Sequence, residues 1–536
     1  MPGRLAIDFG TSNTVVALWD ESQGEALPLI LPDFSRNVAV AGAQGEFGEV
    51  PVIPSLIHYV DEKQRWIGQQ VFENDLYEQP QTFRWMKRYV GRRTPMRLHL
   101  GTRELAPADA AVDFLSAVIS VAAGGVEINP NEEDVVFTVP VESFEHYNQW
   151  LLSVAASAGL PRVRLLDEAA AAAIGYGAVV ETGDAYLIFD FGGGSLDVSV
   201  VTVEEEPVGG ESIRRCRVLG KAGASLGGTT VDQWLFQDVL RQAGTSDGTD
   251  DVRRISRKLL VDCERAKEAL SLGEKADVSV LDLYTGYQLS AEYSRPQFEQ
   301  LLEERGFFAT IDRTLRRALE AARARGCDED QIKSVFMLGG SSLIPSVQQA
   351  VTGYFGGDRV LIDRPLEAVA CGAATYAAGA ELRDYIQHDY AIRHIDQSTG
   401  DYDYRPIVRR GTGFPTADPI ARLLLKPSHA EQAALGVAVF EVGEGEADGE
   451  GQELVFDETG AARIQDIPPE DQERQTRFWL NEQNPAFLPA QPPGPPGEPR
   501  FEVQFGLDEN KRLVLSAQDV QSGEKVMQDS PVVAQS

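Results

Sequence analysis

An aspartate at the end of an apolar run, followed by glycines and a second aspartate, brings together groups that can handle phosphate. Asp190-Phe191-Gly192-Gly193-Gly194-Ser195-Leu196-Asp197 has this form. A glycine turn lets successive backbone N–H groups face an anion, and carboxylates beside it can hold a hydrated Mg²⁺. The same residues suit an ordinary glycine-rich hairpin equally well, since short glycine motifs arise by chance. The arrangement occurs twice, however. Leu5, Asp8, Phe9 and Gly10, followed by Thr11 and Ser12, stand at one constant offset from Leu187, Asp190, Phe191 and Gly192. Two such hairpins a domain's length apart suggest two similar half-domains that offer phosphate loops to one cleft. Asp-Phe-Gly also occurs in protein kinases, but no His-Arg-Asp loop accompanies it here, and that reading is set aside.

The elements around these hairpins follow from local pattern. The apolar run to Phe189 reads as a buried strand and Val198 to Thr202 as its return. Lys87, Arg88, Arg92 and Arg93 cluster in an otherwise acidic chain, as an anion site or as a solvated basic turn. Ala106 to Ala123 has helical spacing, and Glu142 to Ala158 reads as a helix stopped by Gly159 and Pro161. Asp167 is placed to cap an alanine helix that opens with Glu168, a carboxylate at the helix's positive end. Leu226 to Asp232 is a glycine turn opening a helix, and Arg254 to Leu272 is amphipathic. Val335 to Pro345 reads as strand, glycine turn and helix start, so Gly339, Gly340, Ser341 and Ser342 form a third nucleotide-site candidate. A second small-residue helix follows from Asp363.

At 536 residues, with 43% hydrophobic and 24% charged residues, the chain has the composition of a globular protein of several domains. A net charge of −33 argues against non-specific nucleic-acid binding, which needs a cationic face. Four scattered cysteines form neither a disulfide framework nor a zinc site. The start lacks signal-peptide form and no apolar run looks long enough for a bilayer, so a cytoplasmic protein without a membrane partner is expected.

Two phosphate hairpins, two small-residue helices and a Gly-Gly turn, in this order, resemble the actin-type ATPases. Val139-Pro140, Lys87-Arg88 with Gly91-Arg92-Arg93, and Asp262-Cys263-Glu264-Arg265-Ala266-Lys267 resemble, within them, the DnaK-like seventy-kilodalton heat-shock chaperones. The resemblance covers roughly residues 3 to 380 and implies a two-lobed α/β ATPase that uses ATP and Mg²⁺. It implies that Lys87 is catalytic, with Glu168, Asp190 and Thr11, and that Asp8, Asp190 and Asp197 face the metal mostly through water. Gly10, Thr11, Ser12 and Gly192 to Ser195 (Gly193 and Gly194 between them) match phosphate contacts. Glu264, Lys267, Ser271 and Gly339 to Ser342 match the nucleoside side.

The resemblance extends more weakly to the last third, where short alternating strands are similar to the chaperones' peptide-binding β-sandwich. The expected division is an ATPase domain at 1–380, a linker at 381–404 and a sandwich at 405–536 without a helical lid. Glu453 to Phe456 reads as one of these short strands, within residues 443 to 500, which are acidic and then proline-rich and otherwise read as a loop or disordered insert. Three positions depart from the family: Asn148 stands where an arginine serves interdomain signalling, and Glu268 and Leu343 where two arginines clamp adenine. The implied function is slow ATP hydrolysis coupled to the binding of unfolded or extended polypeptide, with J-domain co-chaperones and exchange factors as further partners. The alternatives are a nucleotide-binding scaffold or exchange-factor-like partner of a full-length chaperone, and a small-molecule kinase on the same fold.

Overall fold

Strands that read as apolar throughout are buried on both faces here. Leu5–Phe9, Val135–Val139 and Ala185–Phe191 each sit inside a sheet with helices over it. The computed structural model describes residues 3–41, 47–90, 96–140, 143–177, 182–208, 211–379, 381–386, 388–395, 402–443, 452–466, 477–481 and 487–533. Gly91, Arg92 and Arg93 of the basic cluster lie outside them. The chain forms two units. One comprises Met1–Val141, Val154–Leu382 and Asp448–Pro468, the other Glu142–Ser153, Arg383–Ala447 and Pro469–Ser536.

The first unit contains one sheet topology twice. Leu5–Phe9 lies antiparallel to Asn13–Asp20 and parallel to Val135–Val139, which pairs in parallel with Val163–Asp167. Ala185–Phe191 lies antiparallel to Leu196–Val208 and parallel to Ile332–Leu338, which pairs in parallel with Val360–Leu361. The sequence repeat is therefore a repeat of fold, with one lobe around each sheet. Parallel neighbours need long crossovers, and helices supply them: Pro107–Gly125 precedes Val135–Val139, and Phe307–Arg323 precedes Ile332–Leu338.

Pro107–Gly125 is, contrary to expectation, long and apolar enough to cross a membrane by length and composition. One face of it is buried, with Phe114 packing 6.0 Å from Phe9 between ring centroids. The two small-residue helices, Glu168–Gly175 and Ala368–Ala377, cross at Gly372, where a Cβ would collide with the Ala171 carbonyl and the Gly175 amide.

The second unit is a sandwich of antiparallel sheets. One has the order Tyr402–Val408, Asp389–Ile395, Val439–Val442, Arg477–Trp479; the other Ala421–Leu425, Phe501–Leu507, Leu513–Asp519, Lys525–Pro531. Tyr390, Val408 and Val439 from the first share one core with Phe501, Val503, Phe505, Leu513 and Leu515 from the second. Phe501–Leu507 alternates buried and half-buried residues along its length, as a strand with one covered face should.

Two sequence expectations change here. The segment expected as a linker contains strands, because Tyr390 and its neighbours have a core to join. Residues 443 to 500 contain further strands, and Gln452–Phe456 pairs with Ala462–Asp466 as a hairpin within the first unit. The helix expected from Glu142 is Glu145–Ser157 among the described residues.

Candidate functional site

The two glycine hairpins face each other. A Cβ on Gly193 would meet Ser12 Oγ, and one on Gly194 would meet Thr11 Oγ1, so a side chain at either position would displace a hydroxyl of the facing turn. Ser55 fixes the first turn, with its Oγ donating to the Gly10 carbonyl at 2.8 Å and its amide to the Ser12 carbonyl at 2.9 Å. In the second turn the Gly192 amide donates to the Ser195 carbonyl at 3.1 Å. Two further loops close on it. Thr229 N–H donates to the Gly193 carbonyl at 2.8 Å, and Ser341 Oγ to the Gly192 carbonyl at 2.8 Å. The third glycine candidate, Gly339 to Ser342, therefore borders the same cleft. Within it Ser342 Oγ donates to the Gly339 carbonyl, and a Cβ on Gly340 would point into open space.

Acids gather behind the turns. Lys87 Nζ lies 2.7 Å from Glu168 Oε1, both side chains being nearly buried. Lys87 is placed by a short helical turn, Met86–Tyr89, and Glu168 by the start of its alanine helix. Burial and the nearby Glu168 push the Asp8 carboxyl up to about 6, against the opposing pull of Lys87 and a 2.6 Å hydrogen bond from Thr138 Oγ1. Burial pushes Asp190 well above the usual carboxylate range, with Glu168, Asp197 and Asp8 adding to the shift and Lys87 opposing it. Asp190 and Asp197 are direct cross-strand partners, a like-charge pairing that costs stability in a plain sheet. Asp197 accepts a 2.7 Å hydrogen bond from Ser195 Oγ.

This charge pattern fits a hydrated divalent cation. Asp8, Glu168, Asp190 and Asp197 crowd together against the charge of Lys87, and two of them resist ionising there. Among the described residues no three acids, histidines or cysteines converge as direct metal ligands. A Mg²⁺ that keeps most of its waters, held by carboxylates at one remove, matches that donor set.

The side on which the sequence places a nucleoside is built from ion pairs. Glu264 Oε2 accepts from Arg84 Nη2 and from Tyr77 Oη, each at 2.5 Å. Burial alone would raise Glu264, but Arg84 and Lys267 outweigh it and hold it below the usual range. Lys267 Nζ pairs with Asp232 Oδ1 at 2.8 Å and donates to the Gly228 carbonyl at 3.2 Å. Burial pushes Asp232 up to about 7, with Lys267 opposing. Ser271 Oγ donates to the Lys267 carbonyl of its own helix. The guanidinium of Arg84 lies over the Trp85 ring at 4.4 Å and the Tyr77 ring at 4.9 Å.

The two hairpins, Lys87, Glu168 and the Gly339 turn thus border one cleft. Lys267 reaches it through Gly228, whose amide donates to the Gly192 carbonyl at 3.1 Å, and Glu264 and Ser271 stand on the same helix as Lys267. Several partners are not legible in the sequence. Arg84 stands beside the basic cluster and Asp232 inside a glycine turn; Tyr77 and Thr138 carry no local signal. Asp167, expected to cap the Glu168 helix with its side chain, makes no such bond and forms a fully buried ion pair with Lys221 instead. Asn148, in the second unit, is buried and accepts a 3.2 Å hydrogen bond from Ser143 Oγ.

The sequence pattern of the family described as Hsp70 protein matches residues 94–389, more than half of the chain. This chain belongs to the Hsp70 family. The Hsp70 likeness continues beyond the matched region. A heat shock protein of Pyricularia oryzae is 27% identical across 97% of this chain and 80% of its own length. Chaperone protein HscA of Salmonella paratyphi B, and likewise that of Salmonella heidelberg, is 30% identical across 70% of this chain. That alignment spans 58% of HscA, a little over half of the relative. Hsp70 proteins are ATP-binding chaperones with ATPase activity, and the α/β unit with its strand-rich companion is the Hsp70 architecture.

Proposed function

We propose that the first unit binds ATP with Mg²⁺ between its two glycine hairpins and hydrolyses it slowly, and that the sandwich grips extended polypeptide. The observation that carries this reading is the pair of hairpins in contact at Thr11, Ser12, Gly193 and Gly194, with Lys87 and Glu168 beside them. Phosphoryl transfer asks a protein mainly for positioning and charge neutralisation. Backbone N–H groups of Gly10 to Ser12 and Gly193 to Ser195 contact the phosphates, while the Gly192 amide stays on the Ser195 carbonyl and closes the turn. Asp8, Asp190 and Asp197 hold the hydrated cation, which when bound supplies neutralisation of the phosphate oxygens. Lys87 orients the attacking water and offsets developing charge, while Glu168 fixes its ammonium and tempers that charge. Glu264, Lys267 and Ser271 take the nucleoside with Gly339 to Ser342.

For the sandwich, support comes from its outer strand. Among the described residues Ala421–Leu425 is an edge, paired on one side with Phe501–Leu507, and Ile420 and Leu424 are exposed along it. An edge strand with apolar side chains suits strand-wise capture of a peptide. Co-chaperones of the J-domain type and exchange factors follow as partners from the same reading. A cytoplasmic location accords with the free, buried thiols of Cys263, Cys327 and Cys371.

Steady-state ATP hydrolysis with and without an unfolded peptide tests the proposal. Slow turnover that the peptide stimulates supports it. Nucleotide binding with no turnover would favour the scaffold or exchange-factor role instead.

A further inference from the structure

The hairpin Gln452–Phe456 with Ala462–Asp466 lies in sequence among the sandwich strands, yet it packs in the first unit. It does so on two segments that belong to different lobes. Pro80 to Tyr89 is continuous with the first lobe, where Thr82–Phe83 pairs with Ile57–Tyr59. Helices Gly228–Gln242 and Asp250–Leu272 follow the hairpin of the second lobe.

Leu454 shows the arrangement within a single residue. Its amide donates to Gln233 Oε1 of the second lobe at 2.8 Å, and its carbonyl accepts from Tyr89 Oη of the first at 3.3 Å. Phe456 is buried 5.9 Å from Trp85 between ring centroids. On the other strand, Ala462 N–H donates to Ser256 Oγ and Ile464 N–H to Asp247 Oδ2. Arg253 pairs with Asp457 at 3.1 Å.

Arg257 ties the three segments together. From the second lobe's helix its guanidinium donates to the Gly460 carbonyl of the hairpin and to the Gln79 and Thr82 carbonyls of the first lobe. Its centre lies 4.7 Å from that of the Phe456 ring. A buried guanidinium whose Nε and Nη1 donate to backbone carbonyls of separate segments is costly to expose piecemeal, so these contacts are lost together or kept together. Trp85 and Tyr89, both held by the hairpin, flank Lys87 in the chain.

We propose that this hairpin is a strap that holds the two lobes closed over the nucleotide and must lift before nucleotide can exchange. This rests on the nucleotide reading given above. A nucleotide leaves such a cleft only when the lobes part, and parting them separates Tyr89 from Gln233 and Arg257 from Thr82. Leu454, Val455 and Phe456, all buried, would then lose their cover on one side.

The test uses the full chain, Phe456→Ala, and a variant with residues 452–466 replaced by a glycine–serine linker. Release of a fluorescent ADP is followed by stopped flow, and amide hydrogen exchange of residues 82–89 is followed without nucleotide. Phe456→Ala should release ADP about tenfold faster, a loss of roughly 1.4 kcal/mol of closure, and the linker variant faster still. Exchange of 82–89 should rise in both. A lower melting temperature with unchanged release and unchanged exchange would reduce the hairpin to a stabilising appendage and overturn the proposal. If the wild type binds no nucleotide, the functional reading falls, while amide exchange still decides whether the hairpin joins the lobes.

Discussion

The two sides of the cleft are made differently. The side assigned to phosphate is backbone: glycine turns pressed against each other, closed by contacts from Thr229 and Ser341 to their carbonyls. The side assigned to the nucleoside is side chain: Arg84 and Tyr77 on Glu264, and Lys267 on Asp232. A backbone cradle offers any nucleotide the same donors and depends on shape. A lattice of buried ion pairs sets its own stability, and truncating one member leaves a buried charge behind. The first arrangement should govern chemistry, the second closure and affinity.

That division can be broken in four places. Arg84→Ala strips Glu264 of its guanidinium and should lower the unfolding free energy by about 3 kcal/mol, the usual cost of orphaning a buried ion. Denaturant unfolding reads it, and a loss below about 1 kcal/mol would mean the pair is solvated in solution. Lys87→Ala should slow hydrolysis by about 100-fold or more with ATP affinity nearly intact. A rate that stays the same removes Lys87 from the mechanism. Restoring arginines with Glu268→Arg and Leu343→Arg should tighten ATP by about tenfold, on the order of 1.4 kcal/mol, by stacking on adenine. Titration calorimetry that shows no gain would place the base elsewhere.

The smallest effect is with pH. Asp8 has a folded-state value raised to about 6, so what it contributes to fold stability is present at low pH and lost as pH rises through that value. Binding of Mg²⁺–ATP has the opposite demand, since it needs the carboxylate. From about pH 7 to about pH 6, half-protonation of Asp8 should weaken binding about twofold, with proton release visible in buffers of different ionisation enthalpy. The Asp190 shift, in the same direction, should enlarge the effect. Affinity independent of pH across this range would separate both acids from the cation.

The same contrast explains what can be read from sequence. Asp8, Gly10, Asp190 and Gly192 to Gly194 are legible because a turn's needs are local, and the repeated offset doubles the signal. The repeated sheet topology accords with it. Arg84 with Glu264 and Lys221 with Asp167 pair residues far apart in the chain, and nothing local marks either pairing. Glu453 to Phe456 reads as a strand and is one, but its return strand Ala462–Asp466 and its place in the first unit are not legible, for a related reason. The stretch is short and flanked by acidic, loop-like sequence, and its apolar face finds cover on Trp85, Gln233 and Arg257. The linker expectation fails where Tyr390 finds a core.

At the crossing of Glu168–Gly175 with Ala368–Ala377, main chain rests directly on main chain, with no side chain wedged between at Gly372. Such a joint has fewer interlocked rotamers to release on turning than a packed side-chain seam. Glu168 sits on the first turn of one of these helices and holds Lys87. A rotation at this crossing would carry the carboxylate with it and move the ammonium it holds relative to Asp190, which ties the geometry of the cleft to the joint.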